Sequence, residues 1–150
     1  MKVVDKEFEE RVIQIKRVSK KTKGGSKMSF TALVVIGNRN GRVGFGFGKA
    51  GDVPTAVQKA VSSAKKAMVE VVVHNGTIPY ELVSKYGASI IKMKPAPEGS
   101  GVIAGGAIRQ VMELAGIKDI SAKMLGSTNK GTSVKGAIEA LSKFRKEVKE

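Results

Sequence analysis

The 150-residue chain has no cysteine. That absence excludes disulfides, a thiol nucleophile and a cysteine-built zinc site, and it fits a reducing compartment. Histidine occurs once, at His74, in a segment that reads as a linker. No acids pair at a useful spacing, and no nucleophile sits beside a base, so no catalytic residue, metal ligand, cofactor or small-molecule substrate is expected. Long apolar runs are also missing. The longest, "ALVVI" at 32–36, is far short of the roughly 20 residues a spanning helix needs. The N-terminus carries no signal-peptide core. From these absences a soluble, intracellular protein with no membrane partner is expected.

The most informative absence is of one charge sign. Between Arg11 and Gly51 there is no Asp or Glu, against ten Lys and Arg. The acids gather before it, in "DKEFEE", and scatter after it. The whole chain holds 27 basic and 13 acidic residues, a net charge of +14. A solvated surface mixes signs, so a one-sign segment with strand patterning points to a polyanion, here a nucleic acid. No basic amphipathic helix with aromatic anchors suggests a membrane surface instead.

What is present reads as an α+β chain of two units, 1–73 and 74–150, with "HNGTIPYE" (74–81) as the boundary. In the first unit an acidic start leads to strand "VIQIKRV", a polar loop over 19–28, and strand "SFTALVVIGN". That second strand is apolar on both faces, which predicts a central strand covered on both sides. "NRNG" is a tight turn between strands. "RVGFGFGK" is the next strand, and Asp52 with Pro54 opens a helix. In the second unit "ASIIKMK" and "DISAKML" are strands, and "VIAGGAIRQVMELAG" is a helix ended by Gly116. "GSTNKGTS" is a loop, and a final helix starts at Val134.

The glycines of "NRNGRVGFGFGKAG" (38–51) imitate a phosphate loop and fail on spacing. The Gly-x-x-x-x-Gly-Lys-Ser/Thr pattern would need Gly at Val43 and a hydroxyl at Ala50. Gly44, Gly46 and Gly48 are two apart, not Gly-x-Gly-x-x-Gly. On a strand, that spacing puts bare backbone on one face and Val43, Phe45 and Phe47 on the other. A bare face admits close approach by a helix, another backbone or a ligand. The phenylalanines either stack on bases or pack against the helix after Asp52, and the adjacent helix is the expected neighbour. Gly99, Gly101 and Ala104, with Asp119 twenty residues after Gly99, imitate a dinucleotide fingerprint, but Pro95 and Pro97 interrupt the required strand.

"KKTKGGSK" sets Lys20, Lys21, Lys23, Ser26 and Lys27 around Gly24 and Gly25. Lysines on such a tip neutralise phosphates, and the glycines turn backbone N–H groups toward the anion. With Lys16, Arg17, Arg39, Arg42 and Lys49 on the same three-strand unit, this is the expected RNA-binding set. The order helix-strand-strand-strand-helix is that of double-stranded-RNA-binding domains.

From about Glu10 to Leu141 the chain resembles the bacterial fifth small-subunit ribosomal protein family. The resemblance rests on "RVIQIKRVSKKTKGGSKMSFTALVVIGNRNGRVGFGFGKA", "VPTAVQKAV", "GTIP", "KPAPEGSGVIAGGAIRQVMELAGIKDI" and "GSTN" in that order. It implies an N-terminal α-β-β-β-α domain like double-stranded-RNA binders and a C-terminal two-layer α/β domain with a left-handed β-α-β crossover. It implies binding of small-subunit ribosomal RNA, help in assembly, influence on decoding accuracy and a place at the messenger entry. The implied neighbours are the third, fourth and eighth small-subunit proteins, with Gly99, Ser100, Gly101 and Arg109 facing the fourth, and the free protein is implied to be a monomer. The chain departs from the family at Gly51, where a basic residue is usual, at Ser26–Met28, and in "KGTSVKG" after "GSTN". Rivals are a free double-stranded-RNA binder and, by fold analogy alone, a small-molecule kinase. For the kinase, Ala104, Gly105 and Gly106 stand where its loop needs serines.

Overall fold

Residues 31–37 are all buried, so the strand they form must be covered on both faces. In the computed structural model, which describes residues 8–71, 73, 75–126 and 130–147, this strand is interior to a sheet. The first sheet contains β1 (Glu9–Thr22), β2 (Gly25–Gly37), β3 (Arg42–Ala50) and β4 (Val69–Glu70), antiparallel and in sequence order. Helix α1 (Val53–Lys66) follows β3 and crosses one face. Asp52 stands at its N-cap with extended backbone and Pro54 lies in its first turn, as expected, but the Asp52 side chain makes no capping hydrogen bond.

The register explains how α1 sits. Gly44, Gly46 and Gly48 pair with Ile36, Val34 and Ala32, so these six residues share one face. Ala56, Ala60 and Ala64 are the buried residues of α1 and lie over the glycines. A Cβ on Gly44 would stand 2.8 Å from the Ala64 carbonyl oxygen. On Gly46 and Gly48 it would collide with the Ala60 and Ala56 carbonyls. Small residues on both sides therefore let helix and strand backbones touch. This corrects the expectation that Phe45 and Phe47 pack against α1: they point to the other face, and the helix takes the bare one.

The second sheet has order β5-β6-β8-β7, from β5 (Leu82–Tyr86), β6 (Ser89–Pro95), β7 (Val102–Ile103) and β8 (Ile120–Gly126). Helix α2 (Gly106–Ala115) connects β7 to β8, which pair in parallel. Helix α3 (Lys130–Glu147) is the last of the described elements. The 102–116 helix expected from sequence therefore begins four residues later, because Val102 and Ile103 add a strand to the sheet edge. The last helix begins at Lys130 rather than Val134. Loop 19–28 is also corrected: β1 runs to Thr22 and β2 starts at Gly25, leaving only Lys23 and Gly24 in the turn. Strands β4 and β5 carry no clear alternation, and no local pattern announces them. The leading helix of the expected α-β-β-β-α order, His74 and residues 127–129 lie outside the described residues.

The free face of the first sheet is where the two halves meet. Leu33, Val35 and Val43 belong to one buried cluster with Ile108, Val111, Leu114, Val134, Ile138 and Ile91. Helices α2 and α3 thus fill the space between the sheets. The boundary segment is built into the same core. Ile78 is buried, and the Gly76 carbonyl accepts the Lys118 and Asp119 amides at 2.8 and 3.0 Å.

Gly46→Ala should destabilise the protein by roughly 1–3 kcal/mol, because neither backbone yields cheaply to the added methyl. Gly51 has ordinary φ, and a methyl added there would meet nothing within 4 Å, so Gly51→Ala should stay within about 0.5 kcal/mol. Urea unfolding midpoints check both, and equal effects would refute the close-contact assignment.

Candidate nucleic-acid interface

Strand β3 ends opposite Phe30, which itself pairs with Arg17. Beyond that row only β1 and β2 continue, for five more paired rows to Thr22–Gly25. At about 3.3 Å per residue this two-stranded arm projects roughly 17 Å past the third strand. In its register Lys20 stands directly opposite Lys27, Lys21 opposite Ser26 and Ser19 opposite Met28. Like charges directly opposite each other cost stability in a free ribbon. Lys23, Gly24, Gly25 and Lys27 are exposed. Gly25 adopts φ +132, a backbone conformation that an L side chain resists.

At the root of the arm, Lys16, Thr31 and Lys49 form one cross-strand row, and Gln14, Leu33 and Phe47 form the next row on that face. Both lysines are exposed while Thr31 is buried. Arg17, on the opposite face, directs its guanidinium N–H groups to the Met28 sulfur at 2.9 and 3.1 Å. Lys16, Arg17, Lys49 and the arm lysines are therefore brought to one end of the first sheet.

Arg39 and Arg42 are not. Arg39 lies in the β2–β3 turn and Arg42 opens β3, roughly 33 Å along β2 from the Lys27 row by strand rise. The expected RNA-binding set falls into two groups at opposite ends of the first sheet, because β2 separates them by its length. The turn also differs from the sequence reading. Positive φ falls on Arg39 (58°) and Gly41 (96°), while the Asn38 side chain accepts the Asn40 and Arg42 amides. Arg42 stacks its guanidinium 5.7 Å from the Phe8 ring centroid.

Arg39 is further held in a charge network that sequence reasoning missed. Its Nε donates to Glu9 at 2.7 Å. Glu9 also pairs with Arg11, which donates to Glu113 and Gln110 on α2. Arg109 reaches Glu113 at 3.4 Å. The Arg39 hydrogen bond chiefly holds the Glu9 carboxyl below its ordinary range, and Arg11 does the same for Glu113. No local pattern announces this network, since Arg11 and Glu113 are 102 residues apart.

Among the expected protein-contact residues, Gly99 and Ser100 are exposed on a loop and Gly101 is half-buried. Gly99 and Gly101 donate their amides to the buried Asp119 carboxylate at 3.1 and 2.9 Å. The acid that completed a false dinucleotide pattern thus holds the loop's shape. Arg109 lies on α2, exposed. The outer face of the second sheet adds four exposed lysines, Lys85, Lys92, Lys94 and Lys123, that the sequence reading did not single out. Among the described residues no cluster of His, Cys, Asp or Glu could hold a metal ion, and no helix is long and apolar enough to cross a membrane.

Comparison with known proteins returns two adjacent family matches. Residues 8–72 match the model described as ribosomal protein S5, N-terminal domain. Residues 84–149 match ribosomal protein S5, C-terminal domain. The chain is also similar to the small ribosomal subunit protein uS5 of Thermotoga maritima, 55% identical over 123 residues, covering 82% of this chain and 69% of that protein.

The network gives a pH signature. A depressed folded-state carboxyl contributes stability that is full above its unfolded value, near 4.5, and is lost as pH falls through the lower folded value. Glu113 and Arg11 are 30% and 26% exposed, which limits the pair to about 1 kcal/mol. Glu113→Gln should therefore be less stable than the parent at pH 7, with the gap closing as pH falls below the ordinary carboxylate range. Urea midpoints at several pH values measure it, and a pH-independent gap would rule out the electrostatic cause.

Proposed function

The chain belongs to the ribosomal protein S5 family, and from that premise we propose that it is a structural constituent of the small ribosomal subunit that grips ribosomal RNA with the β1–β2 arm. The observation that carries the RNA assignment is the arm itself. A two-stranded ribbon whose register sets the backbone of Lys20 opposite that of Lys27, in a 41-residue stretch without an acid, concentrates lysines that phosphates can neutralise. Lys16, Arg17 and Lys49 extend the contact to its root, and Lys21, Lys23, Gly24, Gly25 and Ser26 complete the tip. Such contacts position the protein without reading sequence.

In this reading Arg39 and Arg42 make a second, separate phosphate contact, with Arg39 shared between RNA and Glu9. The three strands followed by α1 support likeness to double-stranded-RNA binders. The parallel β7–α2–β8 connection is where a left-handed crossover belongs. The separate family models support two units divided near residue 74. Gly99, Ser100, Gly101 and Arg109 face the fourth small-subunit protein, and the third and eighth are further neighbours. The protein is a monomer when free and cytoplasmic within the subunit, supports assembly and decoding accuracy, and lines the messenger entry. The reading assigns no catalytic residue. A free double-stranded-RNA binder shares the arm chemistry, and sedimentation separates the two.

Replacing Lys20, Lys21 and Lys23 with Ala should reduce the slope of log K against log salt by roughly 0.7–0.9 for each phosphate that is no longer neutralised. Filter binding to small-subunit ribosomal RNA measures it, and an unchanged slope would sink the arm assignment. The parent chain should co-sediment with small subunits in high salt. Recovery only in the free fraction would favour the free RNA binder.

A further inference from the structure

Phe47 is 59% exposed although it lies on the sheet face that the second half of the chain covers. Its neighbour two residues earlier, Phe45, is half-buried against that half and lies 5.8 Å from the Lys135 ammonium. The cover supplied by α2 and α3 stops between the two rings. What remains at Phe47 is a groove lined by Gln14, Lys16, Val18, Thr31, Leu33 and Gly131. A large aromatic left bare in a groove is unusual for a core residue, and its setting is not that of a scattered apolar side chain.

We propose that this groove holds one unpaired nucleotide of an RNA strand, its base stacked on Phe47 and its phosphates on Lys16 and Lys49. The inference rests on the RNA reading above and adds a site to it. Three observations select this occupant. Lys16 and Lys49 stand on either side of Thr31 in one cross-strand row, beside the row that holds Phe47. Among the described residues neither lysine has an ion-pair partner. The groove lining contains no carboxylate. A ring face with flanking cations is the arrangement that binds single-stranded nucleic acid, where every base offers a π-face and the backbone offers charge. The floor adds polar atoms: the Gln14 amide presents both a donor and an acceptor at the base edge. The end of the groove is the first turn of the 18-residue helix α3, where Gly131 lines it, and a helix N-terminus favours an anion. An acidic or aliphatic protein segment would use the lysines or the ring, but not both. A fully paired duplex keeps its bases stacked inside and offers Phe47 nothing.

The test uses the full chain and a single-stranded oligoadenylate of about ten nucleotides carrying one 2-aminopurine, a length that fits a strand-binding groove. A fully paired RNA duplex of the same length is the control. The parent should quench the 2-aminopurine by stacking. Phe47→Ala should weaken oligoadenylate binding about 5- to 100-fold and abolish the quench, with the salt slope unchanged. Phe47→Tyr should restore both, since the stacking face is kept. Lys16→Ala and Lys49→Ala should lower the salt slope while leaving residual quench. Duplex binding by Phe47→Ala should equal that of the parent. Because Phe47 is largely exposed, thermal unfolding of Phe47→Ala should match the parent, and Phe47→Leu serves as a second probe that keeps apolar bulk without the ring. If Phe47→Ala binds oligoadenylate as tightly as the parent while the lysine variants lose affinity, the stacking site is overturned and the RNA reading stands. If Phe47→Leu binds and quenches like the parent, the ring is not a platform and the proposal also falls. If neither the lysine variants nor the ring variants change binding, the groove holds no nucleotide and the proposal is overturned, while the arm assignment stands or falls on its own salt slope.

Discussion

The C-terminus of α2 is where the two halves become one structure. A helix leaves its last carbonyls without intrahelical partners, and burying them unpaired is costly. Gly116 adopts the left-handed conformation, so that its own amide and that of Ile117 return to Glu113 and Met112. The next two carbonyls, Leu114 and Ala115, accept the amides of Arg39 and Gly41 from the β2–β3 turn at 2.8 and 2.9 Å. A turn in the first half therefore finishes a helix in the second. Gly37 and Gly116 permit the approach: a Cβ on either would run into the backbone across the junction.

Much of the remaining structure follows from that junction. With α2 anchored on the turn, its apolar face and that of α3 meet Leu33, Val35 and Val43, so the second face of β2 is covered by the distant half of the chain. Arg39 takes a positive φ that costs a non-glycine residue roughly 1–2 kcal/mol, and the backbone bond to Leu114 with the Glu9 pair offsets it. Arg11 then reaches Glu113 and Gln110. At this end Arg39 is paired with Glu9, Arg42 lies against Phe8, and Arg11 bridges to the second half, which leaves the arm at the far end as the less compensated cationic surface. The same anchoring sets where cover ends along β3, with Phe45 inside and Phe47 outside.

The arm owes its reach to strand length rather than to looseness. A ten-residue polar loop would place its lysines on a mobile tip. Two strands paired to Thr22–Gly25 hold them on a ribbon of defined register. The sequence disguised this, because lysine, serine and threonine on a two-stranded ribbon need no apolar alternation when neither face is buried. β5 and β7 were hidden for other reasons: the buried position of β5 is Ser84, and β7 has only two residues, so neither shows apolar alternation although each has a face toward the core.

Local matters were legible in the order of residues alone. A near-continuous apolar run gave the central strand, and local residue types gave the Asp52–Pro54 helix start, the Gly116 stop and the two-apart glycines that cannot cradle a nucleotide. Charge segregation gave the polyanion-facing segment, and the ordered motifs gave the family. Each depends on residues a few positions apart, where backbone geometry is dictated by side-chain size and charge. Which face each element used was settled by tertiary packing instead. Packing placed α1 on the glycines, since alanine against glycine allows contact that phenylalanine would block. It put Arg39 with Glu9, joined Arg11 to a Glu113 a hundred residues away, and turned Asp119 into a clamp for its glycine loop. It left Phe47 uncovered, because where the second half stops along β3 is fixed by packing between distant residues and is written in no short stretch of chain.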